Sequence, residues 1–234
     1  MFFYNDYQDF PPPGSGETPP EKKGFRRFFE LLLSNCGALL KANLLFLLGC
    51  LPVVTIPVSL FALNRTVLQI VLDQPVKCLR IYGETFRQYW KQSYLAFLLT
   101  AVPMVCAGYG MRFYITNAIS MPLLFLPFLV CSTVFLVTLL SSGCLYGLLA
   151  SGKPLNEALR LALPLGIAKP QQTVPAALFR YGLLLLALLF FPLSGLYLLI
   201  FGFALPCMLG NFFLRVILRP FIVINNENYC KPHT

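Results

Sequence analysis

A chain of 234 residues that is 57% hydrophobic and only 12% charged, with a mean hydropathy of +0.71, lies outside the composition of a water-soluble domain, in which about 25% of residues are charged. The net charge of +9 brings no nucleic-acid partner with it, because the lysines and arginines flank apolar segments and form no basic patch with base-stacking aromatics. The expected partner of such a surface is the lipid bilayer.

Residues 1–24 are polar and rich in proline and glycine, as in Phe10-Pro11-Pro12-Pro13-Gly14-Ser15-Gly16. They cannot bury enough apolar surface to order themselves and are expected to form a disordered cytoplasmic tail. No short basic region followed directly by an apolar core opens the chain, so no cleavable signal is expected. From Gly24 to Lys41 the residues Phe25, Phe28, Phe29, Leu32 and Leu33 recur at helical spacing with Arg26, Arg27 and Glu30 between them. That pattern predicts an amphipathic helix along the membrane surface.

Uncharged stretches follow at Ala42–Asn64, Gln92–Met111, Phe113–Gly152 and Tyr181–Leu214, against the about 20 apolar residues that cross a bilayer as a helix. A single crossing by Ala42–Leu63 would leave Arg65, Lys77, Arg80, Arg87 and Lys91 on the side opposite Lys22, Lys23, Arg26 and Arg27, against the positive-inside rule. Proline removes a donor and disfavours helix in the residue before it. Leu51–Pro57, with Pro52, Thr55 and Pro57, is therefore read as a break that turns the chain back. The first hairpin is then Ala42–Pro52 plus Pro57–Leu72, the second Ser93–Phe113 plus Pro122–Leu149, and the third Pro175–Pro192 plus Gly195–Leu214. This arrangement leaves Arg112 alone outside and puts both termini on the cytoplasmic face. The limb Pro57–Leu72 gives roughly 24 Å of helix at about 1.5 Å per residue, short of a roughly 30 Å core, so a re-entrant first hairpin meets the same charge pattern. Arg65 lies midway along it as an intramembrane charge. Its side chain is expected to snorkel to the inner interface, with a partner contact or a polar cavity as the alternative.

Between the first two hairpins, Lys77, Arg80, Glu84, Arg87 and Lys91 recur every three or four residues, while Leu79, Tyr82, Phe86, Tyr89, Trp90 and Ser93 fill the other face. This predicts one helix with a charged stripe and an aromatic face, resting on anionic lipid or docking another protein. Lys77, Arg80, Glu84, Arg87, Tyr89, Trp90 and Lys91 are its candidate contact residues. A second such segment begins at Ser151-Gly152-Lys153-Pro154 and is expected to end near Pro164 and Gly166. The fold class expected is all-α: a polytopic membrane bundle over residues 25–222, about six segments in three hairpins with interfacial helices, and a short cytoplasmic tail at 223–234. Interfacial helix, span out and span back form a unit that repeats.

All nine acidic residues fall outside the apolar segments, where proton-coupled carriers and intramembrane proteases need them. The eight cysteines form no C-x-x-C pair, and the single histidine is His233. No catalytic set, metal site or cofactor site is therefore expected, and the cysteines read as packing thiols. Asn64-Arg65-Thr66 matches a glycosylation acceptor by chance, since it lies at membrane depth. Gly143–Gly147 reads as close helix packing.

Asn43-Leu44-Leu45-Phe46, then Leu51-Pro52-Val53-Val54-Thr55-Ile56-Pro57, then Phe86-Arg87-Gln88-Tyr89-Trp90-Lys91-Gln92-Ser93 stand in the order that resembles the YesL-like family of bacterial integral membrane proteins, a domain class without an assigned function. The resemblance implies a cell-membrane protein of Gram-positive-type bacteria, encoded beside carbohydrate ABC importers and glycoside hydrolases. It implies a non-enzymatic accessory or assembly role in carbohydrate import, with Lys77–Lys91 against an ABC transporter subunit. The alternative is an independent permease for a small polar solute.

Overall fold

The computed structural model describes residues 25–74, 76–118, 122–190 and 194–229; the predicted tail at 1–24 and His233 lie outside them. Among them ten α-helices follow one another: α1 (Phe25–Ser34), α2 (Cys36–Cys50), α3 (Ile56–Val71), α4 (Cys78–Gln88), α5 (Trp90–Ala118), α6 (Phe125–Ala150), α7 (Leu155–Ala168), α8 (Pro170–Leu189), α9 (Gly195–Ile200) and α10 (Ala204–Tyr229). Among the described residues there is no strand, and the fold is the expected all-α bundle. The hairpins are α2–α3, α5–α6 and α8 with α9–α10, and the shorter helices α1, α4 and α7 precede them.

The first break falls where the prolines put it. Helix α2 stops at Cys50, Pro52 is extended at φ −79° and ψ 116°, and α3 restarts with Pro57 in its first turn. Thr55 Oγ1 bonds the carbonyls of Gly49 and Pro52, two of the acceptors a helix end leaves over. Gly49 lacks the Cβ that Ser59 would otherwise strike, so the limbs meet closely. Below the turn, Leu39, Ala42 and Phe46 share one buried cluster with Leu63, Val67 and Ile70.

The helix expected over Gly24–Lys41 is two helices, bent by 71° between Arg26–Ser34 and Cys36–Cys50. Asn35 Nδ2 bonds the Leu31 carbonyl at 3.2 Å, the local competition by which Asn disfavours a continuing helix. Lys41 thus belongs to α2. Phe28 and Leu31 are buried, with Phe28 edge-on to Phe212 at 5.5 Å, while Phe29 and Leu33 stay exposed. Arg27 joins α1 to the end of α3 through Asp73 at 2.5 Å.

Helix α7 runs to Ala168, just past the end expected near Pro164 and Gly166, with that proline inside it. It folds back along α6. Its buried residues Ala158, Ala162 and Gly166 recur every four positions, and a Cβ on Gly166 would stand 3.2 Å from Ser141 Cα. Small residues at that spacing let two helix backbones approach. The reversal between α6 and α7 uses Gly152 at φ 86°, a left-handed conformation that glycine adopts without a Cβ penalty.

The return limb of the third hairpin is interrupted at residues 201–203, between α9 and α10. Such a gap exposes the last carbonyls of one helix and the first amides of the next, and apolar surroundings offer no water to satisfy them. Asn43 of α2, fully buried, supplies both halves. Its Nδ2 donates to the carbonyls of Leu198 at 3.0 Å and Leu199 at 2.7 Å, and its Oδ1 accepts from the amides of Phe203 and Ala204, each at 3.1 Å. Helix α10 then forms the axis of the bundle, touching α2, α3, α6 and α8. On α6, Gly143 and Gly147 make room for its Leu214 and Leu218.

Beside the buried apolar clusters, polar side chains point inward and many large apolar ones outward. Asn43, Ser59, Asn64, Thr66, Ser142, Thr173, Arg180 and Asn211 are buried, whereas Leu98, Val105, Phe113, Leu126, Leu136 and Leu189 are exposed. In the most apolar stretch of Trp90–Asn117 only 11% of residues are buried, far more apolar surface than a protein in water exposes. Val53–Val71, Trp90–Asn117, Phe125–Ala150 and Pro170–Leu189 are long and apolar enough to cross a membrane, and the bent pair before them adds a fifth if counted as one span. The chain is a multi-pass membrane protein.

Candidate functional site

The predicted contact helix and the predicted intramembrane charge come together at one elbow. The single helix expected over Lys77–Tyr94 is broken at Tyr89, φ −108° and ψ 10°, into α4 and the start of α5. Helix α4 is fastened to α2, since Cys78 Sγ lies 3.6 Å from the Ala38 carbonyl and the Tyr82 hydroxyl donates to the Ala42 carbonyl at 3.0 Å, and the Tyr94 hydroxyl of α5 bonds the Val54 carbonyl at the hairpin break. Each contact joins residues 40 apart. Helix α4 therefore runs parallel to α2 and brings the first turns of α5 to the hairpin break. The fastened face is Cys78, Ile81, Tyr82 and Thr85; Leu79, expected there, is exposed.

The free face carries the charged stripe. Lys77, Arg80, Arg87 and Lys91 are exposed and Glu84 is half-buried, with Arg80 Nε bonded to Glu84 at 2.8 Å. Trp90 is exposed beside Lys91, whose Nζ stands 5.5 Å from its ring centre. Tyr89 turns inward, where the Arg65 guanidinium packs over its ring at 4.8 Å and Phe61 lies 6.2 Å away. Arg65 is thus held by a ring face, which attracts a cation through its quadrupole by about 1–2 kcal/mol when partly desolvated. Tyr89→Leu should lower unfolding stability in detergent by about that much, and Tyr89→Phe, which keeps the ring face, by under about 0.5 kcal/mol.

Burial pushes the Cys78 thiol above its ordinary pKa, and reactivity follows the thiolate and its exposure. At neutral pH a maleimide should label exposed Cys36 long before Cys78. Comparable rates at the two positions, read by peptide mass spectrometry, would contradict the fastening of α4.

A second polar centre, absent from the sequence-based site, lies inside the bundle. Arg180, on α8, is 7% exposed. Its Nη2 donates to Asn211 Oδ1 at 3.2 Å, Asn211 Nδ2 to Cys207 Sγ at 3.5 Å, Cys207 Sγ to Asn64 Oδ1 at 3.2 Å, and Asn64 Nδ2 to the Leu60 carbonyl at 2.9 Å. All four bonds point one way, so each polarises the next. Asn64 is buried in this chain, which places the glycosylation-like tripeptide inside the bundle. Glycines make the room, since a Cβ on Gly210 would stand 2.7 Å from Arg180 Nε and one on Gly143 3.5 Å from its Nη1. The adjoining Tyr181 hydroxyl pairs with Ser142 Oγ at 2.6 Å, and the Tyr146 hydroxyl with Thr100 Oγ1 at 3.5 Å. The signal available in the sequence was the set of Asn side chains at 43, 64 and 211 within otherwise apolar runs, a pattern that marks helix contacts in membranes.

No curated protein and no solved structure matches this chain. A protein family described as a protein of unknown function, DUF624, matches residues 39–110, under a third of the chain. The matched stretch holds most of α2, all of α3 and α4 and most of α5, so this chain is similar to that family across its first hairpin and the elbow beside it.

Proposed function

We propose that the chain is a non-enzymatic accessory or assembly subunit of a carbohydrate ABC importer in the cell membrane, with both termini cytoplasmic, and that it is a YesL-like protein. The observation that carries this reading is the elbow. One face of α4 is spent on α2, and the other offers Leu79, Arg80 and Arg87 outward, with Trp90 exposed at the start of α5, a mix of arginine and aromatic residues of the kind enriched in protein interfaces. The three motifs that carry the YesL-like resemblance all fall within the matched residues 39–110. A photoreactive amino acid in place of Leu79 or Trp90, activated in native membranes, is expected to capture a permease or ATPase subunit. Arg80→Glu with Arg87→Glu should reduce that adduct about tenfold, and adducts to lipid alone would sink the reading.

In this reading the first hairpin is re-entrant. Its break is bonded to Tyr94, near the start of α5, whereas α5 continues for a further 24 residues to Ala118, roughly 36 Å at about 1.5 Å per residue. With other accessible thiols removed, neither Thr55→Cys nor Gln74→Cys should react with an impermeant reagent from outside. Reaction at position 74 would mean that the chain crosses once.

The permease alternative draws on the polar centre at Arg180. Uptake of a small solute into liposomes by the pure protein would favour it. A sugar is a poor fit there, because the cavity described next is about 80 Å³ against about 300–1,000 Å³ for drug-sized ligands.

A further inference from the structure

We propose that Arg180 is the heart of a binding site for a small monovalent anion of about chloride size, whichever of the two readings above holds. The guanidinium is more than nine-tenths buried, and its Nε has no hydrogen-bond partner. Among the described residues no carboxylate pairs with it: Glu30 and Asp73 pair with Arg27, Glu84 with Arg80 and Glu157 with Lys153. The one side chain that answers it, Asn211, is a neutral dipole. A buried cation left without a counter-charge is costly, since desolvation is compensated only by an opposite charge or full hydrogen bonding. A water molecule would satisfy Nε but would leave the charge.

The surroundings fit an anion and limit its size. Arg180 lines a cavity of about 80 Å³ together with Asn64, Tyr146, Tyr181 and Cys207, with Leu60, Leu63, Leu184 and Phe203 as its apolar wall. A smaller space of about 10 Å³ lies on its other flank, beside Gly143 and Thr173. The larger holds a few water-sized particles and the smaller about one, so the ligand is a halide or an ion of similar bulk. The hydroxyls of Tyr181 and Tyr146 line the same cavity, and each turns its proton to an anion by accepting in exchange from its partner, Ser142 Oγ or Thr100 Oγ1. The Oδ1 of Asn64, which would repel an anion, is already taken by Cys207. One cation matches one negative charge. The apolar wall excludes competing water and strengthens the ion pair. Glycine at 143 and 210 leaves the guanidinium space to sit at this wall.

The test is a titration of the full chain in a maltoside detergent, which carries no phosphate. Sodium gluconate is replaced stepwise by sodium chloride, bromide or sulfate at constant ionic strength. Chloride and bromide should raise the unfolding midpoint saturably, by about 3–6 °C when the ion is at ten times its dissociation constant. Tyr181→Phe, which keeps the ring, should weaken the apparent affinity severalfold, and Arg180→Met should abolish the shift. If Arg180→Met fails to fold, the wild-type titration and Tyr181→Phe still decide. A wild-type midpoint indifferent to chloride, a shift retained in Arg180→Met, or an effect largest in sulfate, as general exclusion from the protein surface gives, would each overturn the site.

Discussion

Asn43→Leu is expected to destabilise the protein more than any other conservative-sized change in its first hairpin. The leucine fits the volume, but the carbonyls of Leu198 and Leu199 and the amides of Phe203 and Ala204 lose their partner in apolar surroundings. At about 1–3 kcal/mol for each unpaired buried group, the loss is about 4 kcal/mol or more. The effect should appear in denaturant unfolding in detergent as a large drop in midpoint, and α9 should become sensitive to protease. Leu48→Ala, on the exposed face of the same helix, should cost under about 0.5 kcal/mol. Equal effects at positions 43 and 48 would show that the α9–α10 gap is satisfied in some other way.

The second large effect is expected at Gly210. A valine there drives its Cβ into a guanidinium 2.7–3.1 Å away. Arg180 can yield only by leaving Asn211 and the cavity, which breaks the one bond that holds a buried charge. The expected cost is about 3–5 kcal/mol. In an Arg180→Ala background the same valine meets no guanidinium, so the two changes should be non-additive by about 1–3 kcal/mol. Additive losses would mean that Gly210 serves helix packing alone.

These two sites differ in how far the sequence discloses them. The break at Leu51–Pro57 is legible because proline acts locally: the same residues that forbid helix on paper end α2 at Cys50 and start α3 at Ile56. The charged stripe at Lys77–Lys91 is legible because it repeats at the helical period. Its division at Tyr89 is not, since the bend is set by contacts from outside the segment, the Arg65 guanidinium over the ring and the Tyr94 bond to Val54. Arg180 escapes because it stands just before the uncharged run Tyr181–Leu214 and near the start of the expected limb Pro175–Pro192, where a basic residue meets the inner boundary, whereas α8 starts at Pro170 and places it in mid-helix. Asn43 and Asn211 escape for the opposite reason. They are neutral and sit inside the uncharged runs without interrupting them, and only the fold brings each to its partner 155 to 161 or 31 residues distant. The packing of α7 on α6 is hidden likewise, because its stripe of Ala158, Ala162 and Gly166 acquires meaning only against Ser141 of α6.

The accessory role is tested most directly by affinity purification of the tagged chain from its native membrane in mild detergent, after growth on several polysaccharides, with mass spectrometry of the proteins recovered. The account predicts a carbohydrate-importer permease in near-stoichiometric amount, lost when Arg80 and Arg87 are both changed to glutamate. Recovery of the chain alone, together with solute uptake by the pure protein in liposomes, would contradict it and identify an independent permease.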